Sequence, residues 1–478
     1  MKMRKITETP SVLVILVVSF FTIIAIAGCT LGPDYNRPSL DVPESYHTSA
    51  TETNDLTVTN SFADASWQQV MTDPQLQAYI NEALTNSWDI KIAAARVLQA
   101  EAAARVTRSR YMPTVSAEAE WNKNGADGKE QDFQSVYGTM ALYELDLWGN
   151  IRRANEAAIA RLLATEAAQR TVRQTLVADV ATAYLGLLEL DHELEISQRT
   201  YDVRMKSLAL TQSREEGGVT SMQDVYQAQI LVATAEATIA DTHRRIEQKE
   251  NELSILLGRT PGSPLARGDG FLQQNLDVMV PPGLPSDLLD RRPDIRSAEE
   301  QLIAVNASIG QAKAAFFPNV TLTGLYGYQS VEFSDLFKSP SKVWQFGPSV
   351  SLPIFTGGAL KGRLKFAKAS FDEALAQYQK TVQNSFREVS DSLIAYQRTQ
   401  EIRARQEKRT QANRSATALS NVRYEGGVTS YLEVLYNEQD LFTAELTLAQ
   451  VRLNELLSVV ALYRSLGGGW QAEPVFTE

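Results

Sequence analysis

Apolar residues in this chain follow two different periods, and the switches between them mark out its elements. Leu176, Val180, Ala183, Leu187, Leu190 and Leu194 are spaced alternately by four and three, the seam of a helix made to pack along its whole length. Val382, Phe386, Val389, Leu393 and Tyr396 repeat that spacing. Val225, Val232, Ile239, Ile246 and Leu253 recur every seven residues, and Leu446, Ala449, Leu453, Leu456, Val460 and Tyr463 continue the pattern. From Asn150 to Ser213 no proline interrupts it, so the helix predicted there runs on the order of 100 Å. Four helices with matched seams point to packing side by side with further copies of the chain.

Between the helices the period is two. Val115, Ala117, Ala119 and Trp121 alternate with Thr114, Ser116, Glu118 and Glu120, and Trp344, Phe346, Val350, Leu352 and Ile354 alternate with small or polar residues. Val320, Leu322, Tyr326 and Tyr328 make a third strand and Ser135 to Leu145 a weaker fourth, with polar loops expected at Asn122 to Asp132 and Ser334 to Lys342. Pro348 and Pro353 weaken the last strand, because proline has no ladder donor.

The chain also matches itself. Arg214-Glu215-Glu216-Gly217-Gly218-Val219-Thr220-Ser221 and Arg423-Tyr424-Glu425-Gly426-Gly427-Val428-Thr429-Ser430 agree at seven of eight positions, 209 residues apart. Upstream, at an offset of 205, Asp89-Ile90 meets Asp294-Ile295 and Pro113 meets Pro318. Each half reads as helix, two strands, very long helix, glycine turn, long helix. The first repeat covers 67–262, with strands at about 113–121 and 134–146 and a helical hairpin at about 150–257. A linker at 263–284 leads to the second repeat at 285–470, with strands at about 318–330 and 343–354, a hairpin at about 358–465, and a tail at 471–478.

The N-terminus adds a destination. Met1-Lys2-Met3-Arg4-Lys5, the apolar run Ser11 to Ala27 and Ile26-Ala27-Gly28-Cys29 follow the order of a secretory signal, and a cysteine as first residue kept resembles a bacterial lipoprotein signal. Residues 1–28 are then removed, Cys29 receives lipid, and 29–66 form a tether. Thr30 and Leu31 leave no acidic residue after the cysteine, which favours the outer membrane. Cys29 is the single cysteine, so no internal disulfide forms, and a net charge of −11 argues against nucleic acid as a partner. His47, His192 and His243 lack the spacing for zinc or a catalytic triad, and no phosphate-binding Gly-rich loop is present. The reading is of a chain that is not an enzyme and needs no cofactor or metal beyond the covalent lipid.

Strands of about ten residues with apolar and polar faces and aromatics near their ends fit an outer-membrane barrel. Four strands in lipid leave two open edges at several kcal/mol per unsatisfied group, so copies must combine. Two copies give eight strands with a filled interior, and three give twelve around an aqueous bore.

Gly32-Pro33-Asp34-Tyr35-Asn36-Arg37-Pro38, Leu284-Pro285-Ser286-Asp287-Leu288-Leu289-Asp290-Arg291-Arg292-Pro293-Asp294-Ile295, Ile309-Gly310 with Phe317-Pro318, and Leu466-Gly467-Gly468-Gly469-Trp470 together resemble the TolC-like outer membrane factors, and most closely their NodT-type lipoprotein branch. The resemblance spans essentially the mature chain. It implies a mixed α and transmembrane β fold: a homotrimeric twelve-stranded barrel, continued by a long α-helical periplasmic barrel. It further implies a multidrug efflux duct docked to a periplasmic membrane-fusion adaptor and, through it, to an inner-membrane pump of the resistance-nodulation-division class. A duct for secreted polypeptides shares the fold, and a structural coiled-coil envelope lipoprotein is the alternative outside transport. On the same resemblance, Gly217, Gly218, Val219, Thr220 and Ser221 with Gly426, Gly427, Val428, Thr429 and Ser430 are the adaptor-docking tips. Leu432 and Glu433 map to the periplasmic constriction, joined by Tyr436 where many relatives carry an aspartate, and Trp121, Tyr326, Tyr328, Trp344 and Phe346 are the barrel aromatics.

Overall fold

The computed structural model describes residues 30–40, 42–43, 62–126, 129–274 and 288–468. The signal, Cys29, most of the tether, the 275–287 segment and the tail from Gly469 lie outside the described residues. The fold divides into two units: Met1–Leu40 with Arg96–Glu166 and Ser297–Lys380, and Asp41–Ala95 with Ala167–Arg296 and Thr381–Glu478. Each unit draws on both sequence repeats, so the duplication is not a division into two compact domains.

Among its described residues the first unit holds four antiparallel strands, β1 (Val115–Ala126), β2 (Lys129–Leu145), β3 (Asn319–Ser330) and β4 (Lys342–Ser351), in the order β1-β2-β3-β4. Register decides what each face carries. Ala117, Gly138, Tyr326 and Trp344 lie in one row, flanked on the same face by Val115, Met140, Gly324 and Phe346 and by Ala119, Val136, Tyr328 and Lys342. Trp121 follows on that face, so all five aromatics singled out in the sequence share it. The alternate rows run Ser116, Thr139, Leu325, Gln345 and Glu118, Tyr137, Gly327, Val343, a largely polar face. A Cβ on Gly327 would stand 2.4 Å from Tyr137 Cβ, which is why that row takes glycine. A bulge between Met140 and Tyr143 inserts one residue yet returns Tyr143 and Leu145 to the apolar side, opposite Leu322 and Val320.

Strand limits depart from the sequence reading at two places. Asn122 to Asp132, expected as a loop, is mostly strand: Asn122 pairs with Phe133, Lys123 with Asp132, and the ladder runs on to Ala126 and Lys129. Main-chain pairing is indifferent to the polarity of these side chains. Conversely β4 stops at Ser351 rather than 354, two residues before the donor-less Pro353, while Pro348 is tolerated on an edge strand. The Ser334 to Lys342 loop carries two 3-10 turns, Phe333–Asp335 and Ser339–Ser341, and buries Leu336.

Among the described residues, eight of the nine helices beyond the shortest turns pair by repeat. They are α1 (Trp67–Val70), α2 (Pro74–Asn86), α3 (Trp88–Ser109), α4 (Asn150–Glu216), α5 (Met222–Leu256), α6 (Leu288–Arg291), α7 (Pro293–Ala314), α8 (Ala359–Glu425) and α9 (Tyr431–Ser465). The long helices α4 and α8 both have 67 residues, about 100 Å, and their partners α5 and α9 both have 35, about 50 Å. Within the first unit α7 meets the start of α4 through small residues, Ala304 and Ala307 against Ala157 and Ala160, with Ser297 Oγ donating to Ala164 O at 2.9 Å. The segment Thr30 to Arg37 straps this pair. Arg153, 4% exposed, donates to Leu31 O and to Asp34, Asn306 donates to Pro33 O, and Arg37 grips Glu299 at 2.8 and 2.6 Å. A Cβ on Gly310 would lie 2.6 Å from Leu31 O, so the strap closes only over glycine.

The second unit carries the main core. Leu176, Val180, Ala183, Leu187 and Leu190 are buried, as are Val382, Val389 and Leu393, Val225, Val232, Ile246 and Leu253, and Ala449, Leu453, Leu456, Val460 and Tyr463. Within one chain these seams pack against the hairpin partner and the neighbouring hairpin, while Leu194, Phe386 and Tyr396 are only partly buried against that core. The expected linker also joins this core: Leu265 and Phe271 are buried, and Arg267 bridges Asp191 at 2.7 Å and Glu250 at 2.6 Å. Asp73 fixes the junction. Its buried carboxylate accepts from Gln75 N and Leu76 N to cap α2, from Tyr184 Oη at 2.9 Å, and from Gln274 Nε2 at 2.7 Å. Among the described residues no helix is long and apolar enough to cross a membrane.

Candidate functional site at the hairpin tips

Both long helices end in the same turn. Gly218 (φ +71°) and Gly427 (φ +72°) take the left-handed conformation that an L side chain resists. Val219 N donates to Arg214 O and Gly218 N to Glu215 O, while Val428 N donates to Arg423 O and Gly427 N to Tyr424 O. These are the paired six-residue and four-residue closures that satisfy the last carbonyls of a helix. The valines stand out into solvent, Val219 75% and Val428 71% exposed. Each turn then opens the next helix with a hydroxyl and an acid. Thr220 donates to Asp224, which also closes a capping box with Ser221, and Thr429 donates to Glu433, whereas Ser430 makes no side-chain cap.

Glu433 is thus the repeat-mate of Asp224 at the third position of a helix, where the dipole favours an acid, and Arg423 stands 4.0 Å away. Leu432, Glu433 and Tyr436 share one face of α9, since 432 and 436 are four apart, and all three are accessible, Tyr436 62% exposed. The opposite side of that turn is buried. Tyr431 and Val434 pack with Tyr424 and Ala228, and the two tyrosine rings lie 5.4 Å apart.

The sequence reading missed the groups that join the two tips. Arg214 donates to Tyr424 O at 3.1 Å and Glu425 O at 3.2 Å and stands 4.4 Å over the Tyr424 ring. The signal was available: Tyr424 is the single mismatch in the duplicated eight residues, where the first copy has Glu215. Deeper in, Arg204 is 1% exposed and ties three helices, donating to Leu231 O of α5 at 2.8 Å and Gln439 of α9 at 3.1 Å. Burial pushes the neighbouring Glu438 carboxyl above its ordinary range. No periodicity flags a charge placed inside a helix interface. The described residues contain no cluster of three or more acidic, histidine or cysteine side chains arranged to hold a metal.

A sheet with one aromatic face, two very long hairpins and duplicated glycine tips can be compared with known proteins as a whole. The family model described as outer membrane efflux protein matches twice, over residues 79–259 and 284–468. The chain belongs to the outer membrane efflux protein family. It is 37% identical over 460 residues to the solvent efflux pump outer membrane protein SrpC of Pseudomonas putida, covering 94% of this chain and 97% of that protein. It is 32% identical over 458 residues to the cation efflux system protein CusC of Escherichia coli, covering 95% and 98%. Among solved structures, the open-state MtrE outer membrane channel of Neisseria gonorrhoeae superposes with a TM-score of 0.85 at 31% identity, covering 92% of this chain and 99% of that one. The outer-membrane channel OprN gives the same score at 30% identity, covering 93% and 100%. This efflux protein accordingly has the TolC-like channel fold, resides in the outer membrane and serves efflux as a transport duct.

Proposed function

We propose that three copies close a twelve-stranded barrel and form the passive exit duct of a tripartite efflux system, with the glycine tips receiving a periplasmic adaptor that links the duct to an inner-membrane pump. The observation that carries this reading is the sheet: its β1 and β4 edges have no strand beside them among the described residues, and its exposed face bears Trp121, Tyr326, Trp344 and Phe346. Unsatisfied edges do not survive in hydrocarbon, and twelve strands is the smallest threefold closure that leaves a bore. The curated relatives are named for cargoes as unlike as solvents and cations, which supports a duct that leaves cargo choice to the pump.

The tips suit docking because the exposed Val219 and Val428 sit on turns closed by backbone hydrogen bonds onto the preceding helix, a preformed apolar contact that loses little entropy on binding. Leu432, Glu433 and Tyr436 form the constriction in this reading, with Tyr436 closing by bulk where a carboxylate ring would add a cation-attracting field. Glu433 can serve there while also starting its helix. The anchor is the lipid on Cys29, one residue before Thr30, whose methyl stands 2.8 Å from where a Gly149 Cβ would be. Full-length protein extracted in detergent should have the mass of three copies by light scattering and conduct in a planar bilayer once the tips are opened. A monomer lacking a sheet signal would overturn the reading.

A further inference from the structure

Glu189 lies in the core of the helical unit, 3% exposed, where α4 meets α5 and α9. Its carboxylate accepts no hydrogen bond from a described residue. The cations near it are already engaged: Arg245 gives Nη1 to both oxygens of Glu193, at 2.9 and 2.8 Å, with Thr242 Oγ1 adding a third hydrogen bond at 3.2 Å, and Lys249 pairs with Glu252 at 2.7 Å. The α9 side offers Gln450, Leu453 and Leu457 and no charge. A cavity of about 370 Å³, lined in part by Gly186, Glu189, Gln248 and Gln450, adjoins the acid. A charge there has no hydrogen-bond donor of its own inside the packed state, since Arg245 is held by Glu193, and the cavity offers a way for water to reach it.

We propose that Glu189 is a proton-operated brace between the two hairpins: neutral and packed against α9 in acid, charged and loosening α9 at alkaline pH. The environment agrees with the geometry, for burial, helped by the Glu193 carboxylate, pushes the Glu189 carboxyl up to about 7, with Arg245 opposing. The sign follows from linkage. The folded chain keeps a proton that the unfolded chain releases near 4.5, so this group's contribution is complete below that pH, falls as pH rises through about 7, and stays lost above it. The inference concerns packing inside one chain and stands apart from the number of copies or the cargo.

Hydrogen exchange of the intact, detergent-purified protein tests it, comparing pH 6 with pH 8.5 after correction for intrinsic exchange. Segments 186–193 and 446–457 should open at least about tenfold more at pH 8.5, as expected for a shift of one pKa unit or more. Glu189→Gln should abolish the difference. Glu193→Gln releases Arg245 to Glu189 and should move the transition to lower pH by about a unit. Equal protection of the unaltered protein at the two pH values overturns the brace, and that comparison requires no variant to fold. A difference that persists in Glu189→Gln also overturns it.

Discussion

Asp73 shows how much one side chain can hold in this protein. Four donors from three parts of the helical unit converge on a carboxylate that is 2% exposed. Asp73→Ala removes a helix cap and leaves the Tyr184 hydroxyl and the Gln274 amide without their acceptor, so it should cost about 3 kcal/mol, read as a lowered denaturation midpoint. Gly310→Ala acts differently. Its Cβ would press on Leu31 O, so the strap should lift and residues 30–37 become open to limited proteolysis while the sheet signal is unchanged. Neither effect was legible beforehand. Asp73 reads in the sequence as an ordinary cap before Pro74, and its partners at 184 and 274 become neighbours only through the fold. Gly310 was noticed as a motif residue, but the reason for it lies almost three hundred residues upstream.

At the scale of elements, most of the architecture could be read in advance because it is periodic. The seams, the strands and the duplication each repeat a spacing, and a spacing survives whatever the fold does around it. What escaped were features set by main-chain pairing or by packing between distant segments: the extension of β1 and β2 through Asn122 to Asp132 and the linker drawn into the core. The glycine tips were legible as turns, and their shared geometry makes a sharp test. Gly427→Val places a β-branched residue at φ +72° and should cost roughly 1–3 kcal/mol locally. Efflux of a dye from cells should fall several-fold while assembled copies remain at normal level. Unchanged efflux would remove the tip from the docking role.

For the whole molecule, the two faces of the sheet make opposite demands. In the proposed barrel the row containing Ala117 and Trp344 would face lipid and the row containing Ser116 and Gln345 the bore. Ala117→Arg should therefore cost about 2–4 kcal/mol if the row lies near the bilayer midplane and deplete assembled protein from the outer membrane. Ser116→Arg, one residue away, should assemble normally and alter conductance instead. If the two variants behave alike, the assignment of faces is wrong.

The lone mismatch between the duplicated tips reaches beyond a single chain. Six hairpins of matched length around a common axis would look sixfold, but inside each chain Arg214 rests on the ring of Tyr424, whereas the repeat-mates of that pair are Arg423 and Glu215. Junctions within a chain would be held by an aromatic face, and those between chains by opposite charges. Added salt should slacken every second seam of the mouth and spare the others, so the symmetry of such an iris is threefold from its chemistry upward.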